Sequence, residues 1–260
     1  MNAERGRVSR RLFLGSAGWA LSCSGQKVAS RNSAKLEVKP GPATRQAGSG
    51  VHKLGLDAER DALLYVPDVC AKGTSPLVIS LHGANGTAER GLKILHEQAD
   101  QQGFCVLAPF SRDYTWDFIV GGFGPDIEFM NRALEKTFSM CAIQTSALAI
   151  GGFSDGASYA LSVGLANGTL FRSILAFSPG FMAPPAVEGS PGIFISHGTR
   201  DRVLPIGRTS RNIAEKLRRA KARLVYREFD GPHMVPADMA KEAAAMFIEG
   251  TGGCAANAPG

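Results

Sequence analysis

The chain has 260 residues, 44% of them apolar and only 20% charged, the make-up of a core-forming globular protein and not of a disordered one. Its 31 Gly and 14 Pro show no period, which excludes collagen-like and low-complexity chains. The net charge of +6 invites a nucleic-acid reading, but nine Lys or Arg against two acids fall in the first fifty residues, leaving 20 basic and 21 acidic residues for the rest. A body without excess positive charge exerts no long-range pull on a polyanion, so nucleic acid is set aside as a partner.

In chain order, Ser9-Arg10-Arg11-Leu12-Phe13-Leu14 opens an apolar run that ends at Leu21. At about ten residues the run is too short for the ~20 of a membrane-spanning helix. With its basic flank it resembles a twin-arginine export signal. Residues 1–23 are therefore read as a leader and the body as periplasmic or extracellular. Cys23 follows the run in an ill-formed lipoprotein-like box; its acylation is the alternative to cleavage between Ser22 and Ser30, and the one route to a membrane. Residues 24–50 hold few bulky side chains and are expected to form a flexible tether. The body is expected over 51–250, with 251–260 as a tail.

From Val51 onward, short β-branched runs alternate with segments of helical spacing, which predicts an α/β sheet covered by helices on both faces. Strands are expected at 51–56, 61–66, 77–81, 104–108, 147–151, 173–177, 193–196 and 223–229. The four residues Asp57 to Arg60 are too few for a parallel crossover, so the first two strands should form an antiparallel hairpin at one edge. Helices are expected at 88–102, 125–138, 156–166, 208–220 and 237–249. In the second of these Ile127, Met130, Leu134 and Phe138 make one core-facing stripe.

Strand 77–81 ends in His82-Gly83-Ala84, a turn able to present the Ala84 N–H. The aromatic, Gly-rich segment 111–124 should lie over the ligand-binding edge of the sheet. Within it Trp116 and Phe123 are candidates to line a substrate pocket, or else to anchor the loop in the core. Phe181 and Met182 raise the same question, and Ala183-Pro184-Pro185 leaves little room for a large lid.

The central motif is Gly152-Phe153-Ser154-Asp155-Gly156, set where a strand ends and a helix begins. Gly-x-Ser-x-Gly suits a sharp turn that exposes a nucleophilic Ser154 and leaves the Asp155 N–H at the positive end of the helix, ready for an oxyanion. An acid, Asp201, and a base, His233, follow at consecutive strand ends, in the order such a relay requires. Asp230 competes for the acid role, but it sits on a tight Gly-Pro turn three residues before His233 and reads as a turn-former. His82 and His197 precede glycines and read as loop holders; His52 and His96 read as surface residues. Cys70, Cys105, Cys141 and Cys254 allow three full disulfide pairings, among which the sequence does not choose. No Cys/His cluster has ligand spacing, so no metal is expected.

Together, Leu81-His82-Gly83, Gly152-Phe153-Ser154-Asp155-Gly156, Ser196-His197-Gly198-Thr199-Arg200-Asp201-Arg202-Val203-Leu204-Pro205 and Gly231-Pro232-His233 resemble the α/β-hydrolase superfamily, within it the phospholipase/carboxylesterase group that includes acyl-protein thioesterases. The resemblance covers about Ala62 to Glu249. It implies a cofactor-free serine hydrolase with Ser154, Asp201 and His233 as catalytic residues and a small-molecule ester as substrate. Two features depart from the thioesterases: Asp155 stands where they usually carry Gln, and they lack an export signal. An exported carboxylic esterase is the leading expectation. Acyltransferase, thioesterase, peptidase and non-catalytic binding protein are the alternatives, and the oligomeric state is left open.

Overall fold

The computed structural model describes residues 33–38, 46–249 and 251. Among them eight strands form one sheet: β1 (Gly50–Lys53), β2 (Ala62–Val66), β3 (Ser75–Leu81), β4 (Cys105–Pro109), β5 (Ile143–Phe153), β6 (Ser173–Phe177), β7 (Gly192–Gly198) and β8 (Arg223–Phe229), in the order β1-β2-β4-β3-β5-β6-β7-β8. The first pair is the expected antiparallel hairpin; β2 also runs antiparallel to β4, and every other pairing is parallel. All eight expected strands are present.

Strands β3, β4, β6 and β7 are buried at every position because both faces are covered. Leu77, Ile79 and Leu81 of β3 join one core with α4 (Pro125–Met140), α5 (Asp155–Ala166) and α6 (Ser210–Arg219). Val78 of the same strand points the other way, into a core with α1 (Ala88–Lys93), α2 (His96–Gln102) and α7 (Ala237–Ile248). Ile193 and Ile195 of β7 alternate with Phe194 in the same manner.

The structure differs from the sequence expectation in three places. The single helix expected at 88–102 is two, since the chain tightens at Ile94 and Leu95 and buries Leu95 completely. A short helix, α3 (Asp117–Val120), lies in the aromatic segment where none was expected. Residues 33–38, assigned to the tether, are packed on the body. The Asn167 side chain donates to Ala34 O at 2.7 Å and accepts the Leu36 N–H at 2.9 Å; Asn131 accepts the Glu37 N–H at 2.9 Å. Ala34 and Val38 are buried. Few bulky side chains suffice here because amides of the body satisfy the segment's backbone groups.

Cys105 and Cys141 are buried free thiols and Cys70 is disulfide-bonded. Arg10, Arg11, Cys23 and Cys254 lie outside the described residues, as do the leader and nearly all of the tail. No helix of the described residues is long and apolar enough to cross a membrane.

Candidate active site

Ser154 directly follows β5 and caps α5 with φ +58° and ψ −119°, a backbone conformation that costs a non-glycine residue of order 1–3 kcal/mol. The neighbouring glycines explain how the turn is held. A Cβ on Gly156 would lie 2.3 Å from Leu81 O and 2.4 Å from His82 O, and one on Gly152 would lie 2.6 Å from Leu81 O. Only bare backbone lets the Ser154 turn press against the end of β3. A Cβ on Gly83 would stand 3.2 Å from Ser154 Cβ, so the His82-Gly83-Ala84 turn runs alongside the serine.

The ends of β7 and β8 are forced together in the same way. A Cβ on Gly198 would meet Gly231 O at 2.3 Å and Pro232 O at 2.4 Å, and Thr199 and Arg200 donate to Phe229 O and Gly231 O. This contact sets His233 against Asp201. His233 Nδ1 lies 2.5 Å from Asp201 Oδ2, and His233 Nε2 lies 2.9 Å from Ser154 Oγ. The structure thus brings Ser154, His233 and Asp201 into one hydrogen-bonded line. Because Asp201 can only accept when ionised, the imidazole carries its proton on Nδ1 and offers the Nε2 lone pair to the serine hydroxyl.

The Asp201 side chain is fully buried, and all its acceptor capacity is used. Oδ1 accepts the Val203 and Leu204 N–H groups at 2.8 Å each, while Oδ2 takes His233 and, at 3.0 Å, His197 Nε2. Burial opposes ionisation, but the Leu204 N–H, the His233 contact and the Val203 N–H outweigh it and hold the carboxyl below the usual range. Asp230 is no rival: its side chain is 80% exposed and pairs with Arg200.

His197 and His82 hold loops, as the sequence suggested. Each is buried, and burial keeps each pKa below the ordinary value. His82 accepts the Ser111 N–H on Nε2 and donates from Nδ1 to Gly83 O. His197 has the opposite tautomer, accepting from Ser210 Oγ on Nδ1 and donating from Nε2 to Leu204 O. Its approach to Asp201 escaped sequence reading, since nothing in a His-Gly pair says which carboxylate it faces.

The N–H groups of Asp155 and Ala84 make no hydrogen bond within the described residues. Neither is therefore committed to an acceptor among the described residues. The Asp155 carboxylate is turned aside, since Thr115 Oγ1 donates to its Oδ2 at 2.7 Å. A negative group thus does not compete for the space its own N–H faces.

Trp116 and Phe123 do not line a pocket. Trp116 is fully buried, donating from Nε1 to His82 O at 2.9 Å and stacking on Tyr159. Phe123 is buried against Phe118 and Tyr159. Both serve the anchoring alternative, and Trp116 braces the turn that carries Ala84. The half-buried aromatics of this region are Phe118 and Phe181, 6.0 Å apart.

Beneath them, Asp117 and Asp126 lock the loop. Asp126 accepts the Arg112 and Asp117 N–H groups, and Asp117 accepts those of Gly124 and Asp126 and the Tyr159 hydroxyl. No cluster of metal-ligating side chains occurs among the described residues.

Comparison with known proteins agrees with this architecture. The phospholipase/carboxylesterase family model matches residues 126–249, a span that includes Ser154, Asp201 and His233. No curated protein matches the sequence. Among solved structures, a ferulic acid esterase of Anaeromyces mucronatus in complex with ferulic acid superposes with a TM-score of 0.59 at 18% identity, covering 85% of this chain and 99% of that one. An S-formylglutathione hydrolase of Staphylococcus aureus gives 0.62 at 13% identity, covering 78% and 99%. A carboxylesterase of Bacillus cereus gives 0.55 at 16% identity, covering 74% and 95%. At such identities the likeness to these structures is one of fold. The chain thus has the fold of the α/β-hydrolases, and its residues 126–249, which hold the whole hydrogen-bonded line, are similar to the phospholipase/carboxylesterase family.

Proposed function

We propose that the protein is an exported serine esterase that cleaves small carboxylic esters through an acyl-enzyme. The observation that carries this reading is the unbroken line from Ser154 Oγ through His233 to Asp201, with two unspent N–H groups beside the serine. Ser154 Oγ attacks the ester carbonyl as its proton passes to His233 Nε2. Charge developing on the carbonyl oxygen is met by the Asp155 and Ala84 N–H groups, which are fixed before the reaction and need no reorganisation. His233, now an imidazolium stabilised by Asp201, gives its proton to the departing alcohol. Water then enters by the same steps in reverse and frees the acid and Ser154. Each step uses side chains and backbone of this chain alone, which favours a cofactor-free hydrolysis.

Export rests on the leader: the Arg10-Arg11 pair with its short apolar run is the address, and lipidation at Cys23 would be the membrane link. Changing both arginines to Lys should retain the protein inside the cell, because that pathway reads the guanidinium pair and not charge alone. Unchanged export would assign the leader to the general secretory route.

The activity is tested by labelling with an active-site fluorophosphonate and by a panel of esters and thioesters of graded acyl length, with Ser154→Ala as control. A single adduct on Ser154 and Ser154-dependent ester cleavage are expected. An adduct on another serine would overturn the assignment, and a thioester-only profile would overturn the substrate class.

A further inference from the structure

Beside His233 lies a cleft of about 540 Å³ walled by Arg200, Arg202, Val203 and Pro232. Its two guanidinium groups are in different states. Arg200 is occupied, its Nε 2.9 Å from Asp230 Oδ1 and its Nη2 donating to Asp230 O. Arg202 is exposed and has no ion pair or hydrogen bond among the described residues. The neighbouring Asp201 does not neutralise it, because that carboxylate is buried and already holds His233, His197 and two backbone N–H groups. Arg200 and Asp230 cancel, so one unpaired positive charge is left at the mouth of the cleft. Val203, 67% exposed, adds an apolar wall next to it.

The proposed chemistry decides which half of an ester meets this charge. The atom that leaves must receive its proton from His233 Nε2, so the departing group lies on the His233 side of the serine. The carbonyl oxygen lies toward the Asp155 and Ala84 N–H groups. A cleft walled by His233 therefore receives the departing alcohol or thiol, and the acyl chain runs elsewhere. A guanidinium binds a carboxylate through two parallel N–H···O bonds, which gives direction as well as charge.

We propose that Arg202 is a specificity residue selecting esters whose departing group carries a carboxylate. This rests on the serine-esterase reading above and names the substrate class for it. The same cleft would accept a neutral alcohol, but without the charge-assisted pair.

The test compares kcat/KM for phenyl acetate, 3-acetoxybenzoate, 3-acetoxyphenyl phosphate and monophenyl succinate, the last with its carboxylate on the acyl side. Wild type should prefer 3-acetoxybenzoate to phenyl acetate by about tenfold at low salt, and the preference should shrink at about 0.5 M salt as the pair is screened. Arg202→Ala should bring the ratio to about one, and Arg202→Glu should invert it. Arg208→Ala, an exposed arginine outside the cleft, should leave the ratio at its wild-type value.

A wild-type ratio near one, a ratio unchanged in Arg202→Ala, or an equal gain for monophenyl succinate would overturn the proposal. A gain confined to the phosphate would overturn its carboxylate form. Ser154-dependent cleavage of phenyl acetate is read in the same assay, so failure of the charge preference is distinguishable from failure of the esterase reading itself.

Discussion

Asp201→Asn removes one charge and almost no volume, and the bonds around the side chain dictate how the new amide must sit. Its Oδ1 is held by the Val203 and Leu204 N–H groups at 2.8 Å each, donors that cannot turn. The amide oxygen has to stay there, which puts the NH₂ at the position of Oδ2, facing His233 Nδ1 and His197 Nε2. Two N–H groups cannot share that contact. The imidazole of His233 therefore shifts its proton to Nε2 and can no longer accept one from Ser154.

Together with the loss of the charge that stabilises imidazolium, this should lower kcat/KM by roughly 10⁴-fold, about 5 kcal/mol of transition-state stabilisation. The imperfectly paired amide should cost only about 1–3 kcal/mol of stability. Asp230→Asn breaks one exposed ion pair, worth up to ~1 kcal/mol, and should change the rate only a few-fold. Both variants are to be assayed on phenyl acetate near neutral pH, alongside circular dichroism and thermal midpoints. If Asp230→Asn were the more damaging while both proteins stayed folded, Asp201 would not be the acid, though Ser154 and His233 would keep their roles.

Ser154→Ala and His233→Ala should each lower kcat by roughly 10⁴-fold or more, and the double variant should be no worse than either; additive losses would show that the two do not act as a unit. Gly156→Ala drives a methyl into the carbonyls of Leu81 and His82 and should lose about 3 kcal/mol or more in urea unfolding, whereas Gly121→Ala, with no atom within 4 Å of the added carbon, should be nearly neutral. Asp126 should titrate far above a free carboxyl, pushed up to about 7 by burial and by the neighbouring Asp117. Its folded pKa exceeds its unfolded value near ~4, so the stability it contributes is full below about 4 and is lost as the pH rises through about 7. A carboxyl ¹³C midpoint for Asp126 below 5 would refute this.

The parts of this protein that sequence reading located are those whose signals are local. A strand, a small-residue turn and a helix in succession mark Ser154; an acid and a histidine at the next strand ends mark Asp201 and His233. What it missed depends on partners distant in the chain. The position of Trp116 is decided by His82 and Tyr159, and no property of the loop says that it will be covered. Residues 33–38 look like a tether until Asn131 and Asn167 meet their backbone. The break at Ile94 and Leu95 buries Leu95, a demand of tertiary packing that overrides helical spacing. The state of Arg202 depends on which neighbour Asp230 and Asp201 choose, and a row of charged letters does not reveal that.

The strand that ends the sheet has a consequence for how the molecule behaves among its own copies. Among the described residues β8 leaves one line of backbone N–H and C=O groups without a neighbouring strand, the kind of edge on which another chain can nucleate a shared sheet. Charged side chains flank that edge on both faces. Arg211 of α6 grips Glu228 through two bonds, and Arg227 pairs with Glu242 of α7. A strand arriving there would have to strip water from both ion pairs at once, and exposed Arg223 adds a further charge. At the other end β1 is only four residues long, too short to template much growth. Among the described residues, charge at one edge and brevity at the other each make the sheet a poor template for a further strand.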